Sequence, residues 1–309
     1  MPFTSFPAAA DLRRSICVIF NPAARGEKAK RFQKHLATIA SDCALKPTVA
    51  AGEGRALAAQ AVREGFHTIV AAGGDGTVNE VLNGIGDEPD SFARARLGVL
   101  PLGTVNVFAK ELELPANLQA AWKIIQQGRE LAIDLPEVEF SAAGKTQRRY
   151  FAQMAGAGLD SRAVELVNWK HKKMFGGFAY IVAGLKALRG QMPQVVATDG
   201  NVTMTGELIL IGNGRFYGGR FQAFPAADLR DGVLEVSVFP RTNWMSIFRS
   251  GWGLLMGQLY TTGGVRHFKA VSFRLESGST VPFHLDGENV GHLPAKFSVR
   301  RQALRVIVP

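Results

Sequence analysis

The sequence predicts a chain in two parts, an α/β region built on a parallel sheet and then a mainly β region folded as an antiparallel sandwich or barrel-like domain. Three observations carry this. Up to about residue 125, short apolar runs alternate with segments of helical periodicity. From about Gly128 the apolar runs become short and closely spaced, separated by Gly, Asp and Pro turns. The 309 residues, 47% of them hydrophobic, suffice for two cores. Residues 1–125 are therefore assigned to the first domain and 126–309 to the second, with a nucleotide expected in the cleft between them.

Taken in order, Ile16–Phe20 reads as a buried strand stopped by Asn21-Pro22. Residues 26–41 read as a helix with Phe32, Leu36 and Ile39 on one face and Lys28, Lys30, Arg31 and Lys34 outward. A strand over Leu45–Ala50, a helix over Arg55–Glu64 and a fully apolar strand over Thr68–Ala72 follow. That last strand runs into Gly73-Gly74-Asp75-Gly76-Thr77, then a helix through Asn79, Glu80, Val81 and Leu82. Glycines here let a ligand approach the backbone, and their amides with a helix N-terminus suit a phosphate. Asp75 among such amides would repel a phosphate unless it binds a metal or takes a proton from an attacking hydroxyl. A second loop, Pro101-Leu102-Gly103-Thr104-Val105-Asn106, follows the strand Leu97–Leu100. It converges on the same crevice in a parallel sheet, or simply caps the helix Val107–Leu112. There is no GxxxxGK[ST] loop and no GxGxxG at the first strand-to-helix junction, which excludes a Walker site and an ordinary dinucleotide fold.

In the second part, strands are read at 138–140, 150–154, 195–198, 208–212, 234–239, 270–275, 281–285 and 304–308. Asp231-Gly232 precedes one of them. His284-Leu285-Asp286-Gly287-Glu288 fits either a metal-and-base arrangement or a plain hairpin, since Asp-Gly is a strong turn dipeptide. Two basic and aromatic-rich helical stretches, 161–190 and 244–260, fit an anionic interface, an acyl-chain pocket or ordinary core.

The formal net charge is +10. No aromatic-interleaved basic tract, helix-turn-helix or zinc-finger pattern accompanies it, which argues against nucleic acid as partner and for an anionic membrane or a phosphate-rich substrate. Cys17 and Cys43 are too few for a metal pattern and suit a reducing cytoplasm. The histidines form no ligand-spaced cluster. The first twelve residues do not read as a signal peptide, and no apolar run reaches the roughly 18–20 residues of a spanning helix. Bilayer contact is expected to be transient and peripheral, and both halves are apolar enough to offer a homodimer interface.

Asn21-Pro22, Gly73-Gly74-Asp75-Gly76-Thr77 with Asn79-Glu80, Pro101-Leu102-Gly103-Thr104 with Asn106, Gly212-Asn213 with Tyr217-Gly218-Gly219, Asp231-Gly232 and Asp286-Gly287-Glu288 occur in that order. Together they resemble the diacylglycerol kinase catalytic-domain family, in its bacterial soluble lipid-kinase branch. The glycine–aspartate loop is shared with NAD kinases and 6-phosphofructokinases. The resemblance implies a phosphofructokinase- or NAD-kinase-like α/β domain to which the last strands return, and a C-terminal β-sandwich. It implies ATP and Mg²⁺, with transfer of the γ-phosphate to a lipid hydroxyl. Asp75, Asp286 and Glu288 would be catalytic, Asp75 and Asp286 holding the metal and Asp231 a second, structural one. Asn21, Gly73, Gly74, Gly76, Thr77, Gly103, Thr104, Asn106 and Gly287 would line the nucleotide site. The family's glycine-rich stretch after Asn-Pro is reduced here to Ala23-Ala24-Arg25-Gly26, so Arg25 and Gly26 are assigned phosphate contacts. The loop after Thr104 reads Val105-Asn106-Val107 where Gly-Asn-Asp is frequent, a departure that bears on the acceptor. Phosphorylation of a soluble nucleotide, as by an NAD kinase, and a non-catalytic nucleotide or lipid sensor are the rival readings.

Overall fold

The computed structural model describes residues 15–22, 30, 32–34, 39–159, 161, 192–219, 221–255, 259 and 264–309. Nearly all of the helix expected over 161–190 and most of that over 26–41 lie outside them, as do Arg25 and Gly26. The chain divides into two compact units, one running to Ile133 and including Ala303–Pro309, the other Asp134–Gln302.

In the first unit the strands are β1 (Ile16–Phe20), β2 (Ala44–Pro47), β3 (Thr68–Gly73) and β4 (Arg96–Pro101). Around them run helices α1 (Glu53–Arg63), α2 (Asp75–Gly86), α3 (Ser91–Arg94), α4 (Val107–Glu111) and α5 (Leu118–Gln127). All strand pairings here are parallel, in the order β2-β1-β3-β4. The chain's last residues close this sheet, with Val306 opposite Leu97 in parallel. β1, β3 and β4 are buried on both faces, as uninterrupted apolar runs in a parallel sheet must be. One face packs Val18, Phe20, Val70 and Leu100 against Trp122 and Ile125 of α5. Burial pushes the Cys17 and Cys43 thiols up to about 12, which leaves both inert. Glu80, in the first half of α2, caps its neighbour α1: its carboxylate accepts from Gly52 N at 3.0 Å and Gly54 N at 2.9 Å.

The second unit takes in most of β5 (Arg129–Ala142), then β6 (Lys145–Tyr150), β7 (Met154–Gly158), β8 (Val195–Thr198), β9 (Thr203–Gly206) and β10 (Leu208–Gly212). Beyond the short pair β11 (Phe216–Tyr217) and β12 (Phe221–Gln222) come β13 (Leu234–Phe239), α6 (Trp244–Leu255), β14 (Arg266–Ala270) and β15 (Ser272–Ser277). β16 (Pro282–Leu285), β17 (Glu288–His292) and the long β18 (Ala295–Val308) end the chain. Two antiparallel sheets result. One runs β14-β13-β10-β7-β16-β17; the other sets β18 beside β15, β8 and β9, with β5 and β6 attached. Alternate residues of both point inward, and the core between them centres on Phe140, Phe151, Phe273, Phe283 and Phe297. Phe273 and Phe297 stack at 5.4 Å, and Phe283 meets Phe297 edge-on at 5.9 Å. The α/β-plus-sandwich expectation holds. Helix α5 and the strands β6 and β17, which carry too many charged or polar residues to read as apolar runs, were not expected.

Candidate active site

In the first unit, Phe20, Ala72 and Leu100 lie in register across β1, β3 and β4. The chain beyond each strand therefore leaves the sheet at one carboxyl edge. That edge gathers Asn21, the loop Gly73–Thr77 and the loop Leu102–Asn106. Gly74 is the N-cap of α2, with extended backbone (φ −95°, ψ −170°) and no side-chain cap. The positive end of a twelve-residue helix thus opens at the loop without a capping side chain, the arrangement an anion takes up.

The two glycine loops are tied together. Leu102 N and Gly103 N donate to Gly73 O at 3.0 and 3.2 Å. A Cβ on Gly103 would stand 2.5 Å from Gly74 Cα and 2.7 Å from Asn106 Oδ1, so the close approach requires glycine. Thr77 folds its side chain back against Gly73. Asp75 Oδ1 accepts from Phe108 N at 3.2 Å, linking the start of α2 to α4. Asn106 does not cap α4 with its side chain. It holds a left-handed conformation (φ 54°), its Nδ2 donates to Gly103 O at 2.7 Å, and its buried Oδ1 has no hydrogen-bond partner. Asn106 therefore occupies the N-cap position of α4 without capping it through its side chain. Thr104 and Asn21 are exposed at this edge, and Gly76 is half-buried.

In the second unit, Asp286 and Gly287 form the two-residue turn between β16 and β17, with Leu285 opposite Glu288. Both have positive φ, 48° and 85°, as a type I′ hairpin turn requires. Asp286 also reaches across to another segment. Its Oδ2 accepts from Ala152 N at 2.9 Å and its Oδ1 from Gln153 N and Met154 N, each at 3.0 Å. Asp286 N returns a bond to Met154 O at 2.8 Å. The hairpin is thus present, and the same residue aims its carboxylate at the amides of the 152–154 bend. Asn213 holds the same bend from its other side. Its Nδ2 donates to Ala152 O and its N to Gln153 O, both at 2.9 Å, while its buried Oδ1 has no hydrogen-bond partner. The strand expected over 150–154 is instead this bend, which ends β6 at Tyr150 and starts β7 at Met154, because the Asp286 and Asn213 side chains take up its backbone groups. Glu288 is exposed.

Asp231 lies apart from this hairpin, in the turn before β13. Its Oδ1 accepts from Val233 N at 3.1 Å, and Lys269 Nζ stands 3.9 Å from its Oδ2. Lost solvation raises the Asp231 carboxyl above its ordinary value, opposed by the Val233 amide and by Lys269. Lys269 is raised, chiefly by its 2.6 Å bond to the buried Glu235. Among the described residues no group of three or more His, Cys, Asp or Glu is arranged to hold a metal ion.

An α/β unit with a glycine-lined anion corner and a sandwich with an aspartate-tied hairpin make up a fold shared with solved kinases. A candidate diacylglycerol kinase from Bacillus anthracis str. Sterne superposes with a TM-score of 0.78 at 23% identity, covering 96% of this chain and 95% of the other. Yeast NADH kinase complexed with NADH superposes at 0.53 with 11% identity, over 96% and 84%. Residues 15–138 match the diacylglycerol kinase catalytic domain, and 153–308 the YegS C-terminal NAD kinase beta sandwich-like domain. Diacylglycerol kinases of Staphylococcus carnosus (strain TM300) and Staphylococcus aureus (strain MRSA252) are 28% and 30% identical, each over 96% of this chain and over 96% and 93% of their own lengths. The chain belongs to the diacylglycerol kinase family, and is a kinase. Among the described residues no helix is long and apolar enough to cross a membrane.

Proposed function

We propose that the chain transfers the γ-phosphate of ATP to the hydroxyl of a diacylglycerol-like or sphingoid-like lipid, working in the cytoplasm and visiting an anionic membrane surface. The observation that carries this is the Gly74–Gly103 corner, where two backbone loops meet at an uncapped helix N-terminus beside a carboxylate and a buried, unpartnered Asn106 oxygen. Full-length likeness to the staphylococcal diacylglycerol kinases supports a lipid as acceptor.

In this reading the amides at Gly74, Gly76 and Thr77, with the Thr77 hydroxyl, neutralise phosphate charge, and Asn21, Gly73, Gly103, Thr104 and Asn106 shape the nucleotide's surroundings. Arg25, Gly26 and Gly287 are assigned further contacts. The acceptor oxygen bonds to the γ-phosphorus as the bridge to the β-phosphate breaks, ADP carries away the electron pair, and the hydroxyl proton passes to a carboxylate, Glu288 or Asp286. Carboxylate oxygens are the ligands Mg²⁺ prefers, and Asp75 and Asp286 are the residues assigned to it by the resemblance. When bound it supplies positive charge to the transferring phosphate. Asp231 is the acid assigned to a second ion, and there Lys269 competes for the same charge.

The test is ATP- and Mg²⁺-dependent phosphate transfer to a mixed-lipid extract, beside NAD, with Asp75→Ala and Asp286→Ala as controls. A phosphorylated lipid lost in both variants supports the proposal. Transfer to NAD alone replaces it with the nucleotide kinase that the yeast NADH kinase fold suggests. Nucleotide binding without transfer to either would return the chain to the sensor reading.

A further inference from the structure

Helix α6 is built to stand firmly while leaving its best hydrophobic face unburied. Its start is fixed by a reciprocal cap: Ser246 N donates to Asn243 Oδ1 and Asn243 N to Ser246 Oγ, both at 2.9 Å. Just ahead, Thr242 N and Oγ1 donate to Glu207 Oε2 at 2.6 and 2.7 Å, anchoring the helix entrance to the sandwich. Its inner side is accounted for, since Gly253 is buried and Leu254 packs on the cluster of Met154, Leu210 and Phe224.

The outer side is not. Trp244, Met245, Phe248 and Trp252 are 65%, 74%, 74% and 57% exposed, and they account for four of the seven exposed large hydrophobics among the described residues. At ~100° per residue they fall within an arc of roughly 100°, with exposed Arg249 at its margin. Scattered single hydrophobics need no explanation, but two tryptophans, a phenylalanine and a methionine on one rigid face do.

The charge around the stripe selects its partner. Helix α6 itself carries no Asp or Glu and one Arg, Arg249; Arg241 stands just ahead of its entrance, and both are exposed. A second copy meeting the stripe about a two-fold axis would bring these arginines towards their own copies, with α6 offering no acid to meet them. An anionic lipid surface answers both features, because indole and phenyl rings settle at headgroup depth while arginines meet phosphates.

We propose that the α6 face Trp244–Met245–Phe248–Trp252 is the chain's docking surface for an anionic lipid bilayer. This rests on the lipid-kinase reading above and deepens it, by naming the part of the sandwich unit that brings the enzyme to its acceptor. Docking is reversible, since the stripe is only two to three turns of helix and inserts no spanning segment.

The test compares wild type with the triple variant Trp244→Ser/Phe248→Ser/Trp252→Ser in sedimentation with equimolar phosphatidylglycerol–phosphatidylcholine vesicles. Tryptophan emission is recorded, and phosphate transfer to monomeric dioctanoylglycerol is measured alongside. Wild type should sediment with the vesicles and shift its emission to the blue. The variant should bind roughly tenfold or more weakly and keep wild-type transfer to the monomeric acceptor. Equal sedimentation of the two proteins overturns the proposal, as does a wild type that ignores anionic vesicles. A wild-type dimer dissolved by the triple variant would also overturn it, in favour of a second copy. If vesicle binding depends on the stripe but no lipid is ever phosphorylated, the docking surface stands and the kinase reading falls.

Discussion

Asp75 in the first unit and Asp286 in the second are both aspartates beside a glycine, but their surroundings differ. Asp75 opens a helix, and its Oδ1 accepts a hydrogen bond from the Phe108 amide. Asp286 occupies a hairpin turn at positive φ and takes three amides from the 152–154 bend. The first sits where backbone charge gathers for a ligand; the second is also a staple between segments more than 130 residues apart in sequence. Loss of function at Asp286 therefore has two causes that must be separated, whereas at Asp75 it has mainly one.

The sharpest way to break this contrast is to remove each carboxylate and follow activity and unfolding together. Both Asp75→Ala and Asp286→Ala should lower phosphate transfer by about 10³-fold or more, the scale of lost charge stabilisation in phosphoryl transfer. Only Asp286→Ala should also lower stability, by about 3 kcal/mol for three amides left without their acceptor. That is a fall in Tm of roughly 6–12 °C for a unit of this size, read by calorimetry. Equal Tm for the two variants would mean that the staple has no energetic weight. Glu288→Gln gives an intermediate case: with its side chain exposed, kcat should drop about 10²-fold or more if it takes the proton, with Tm unchanged.

The neighbouring glycines repeat the comparison at smaller scale. Gly103→Ala forces the two glycine loops apart and should cost roughly 10²-fold in kcat/KM for ATP with little change in Tm. Gly287→Ala meets no neighbour but holds φ at 85°, so it should cost about 1 kcal/mol in stability and weaken the ATP analogue less than Gly103→Ala does. Isothermal titration with an ATP analogue, beside thermal melts, reads both.

The smallest effect concerns Asp231. Its carboxyl is raised by lost solvation, so the folded chain holds that proton to higher pH than the unfolded chain does. The charged form thus costs stability at neutral pH, a cost that disappears as pH falls through the raised value towards 3.8. Asp231→Asn should raise Tm by up to about 2 °C at neutral pH and by nothing in strong acid. Added Mg²⁺ that raises the wild-type Tm, but not that of Asp231→Asn, would show an ion binding there despite Lys269.

How much of this the sequence disclosed depends on whether the signal was local. β1 and β3 were legible because a strand buried on both faces must be apolar throughout. The glycine loops were legible because close backbone approach leaves no substitute for glycine. β18 was seen only over its final apolar stretch, because its first half alternates inward Phe297 and Val299 with charged residues. Asp286 was read as either a turn or an acid; its link to the 152–154 bend is long-range, and no local pattern encodes it. Glu80 was visible as part of the glycine–aspartate motif, but its work as a cap for α1 depends on how the two helices meet. For α6 the sequence showed an aromatic-rich helix suited to an anionic interface, an acyl-chain pocket or core, but not which of its side chains stay exposed.

The first unit is completed by residues that follow the whole second unit in the chain. Ala303–Pro309 belong to it, and Val306 pairs with Leu97 at the edge of its parallel sheet. During synthesis, β4 must therefore wait with an open edge while the ribosome makes the whole second unit. A chain cleaved or stalled before residue 303 would hold a second unit able to fold and a first-unit sheet whose β4 edge stays unpaired, a template for aggregation and an opening for proteolysis.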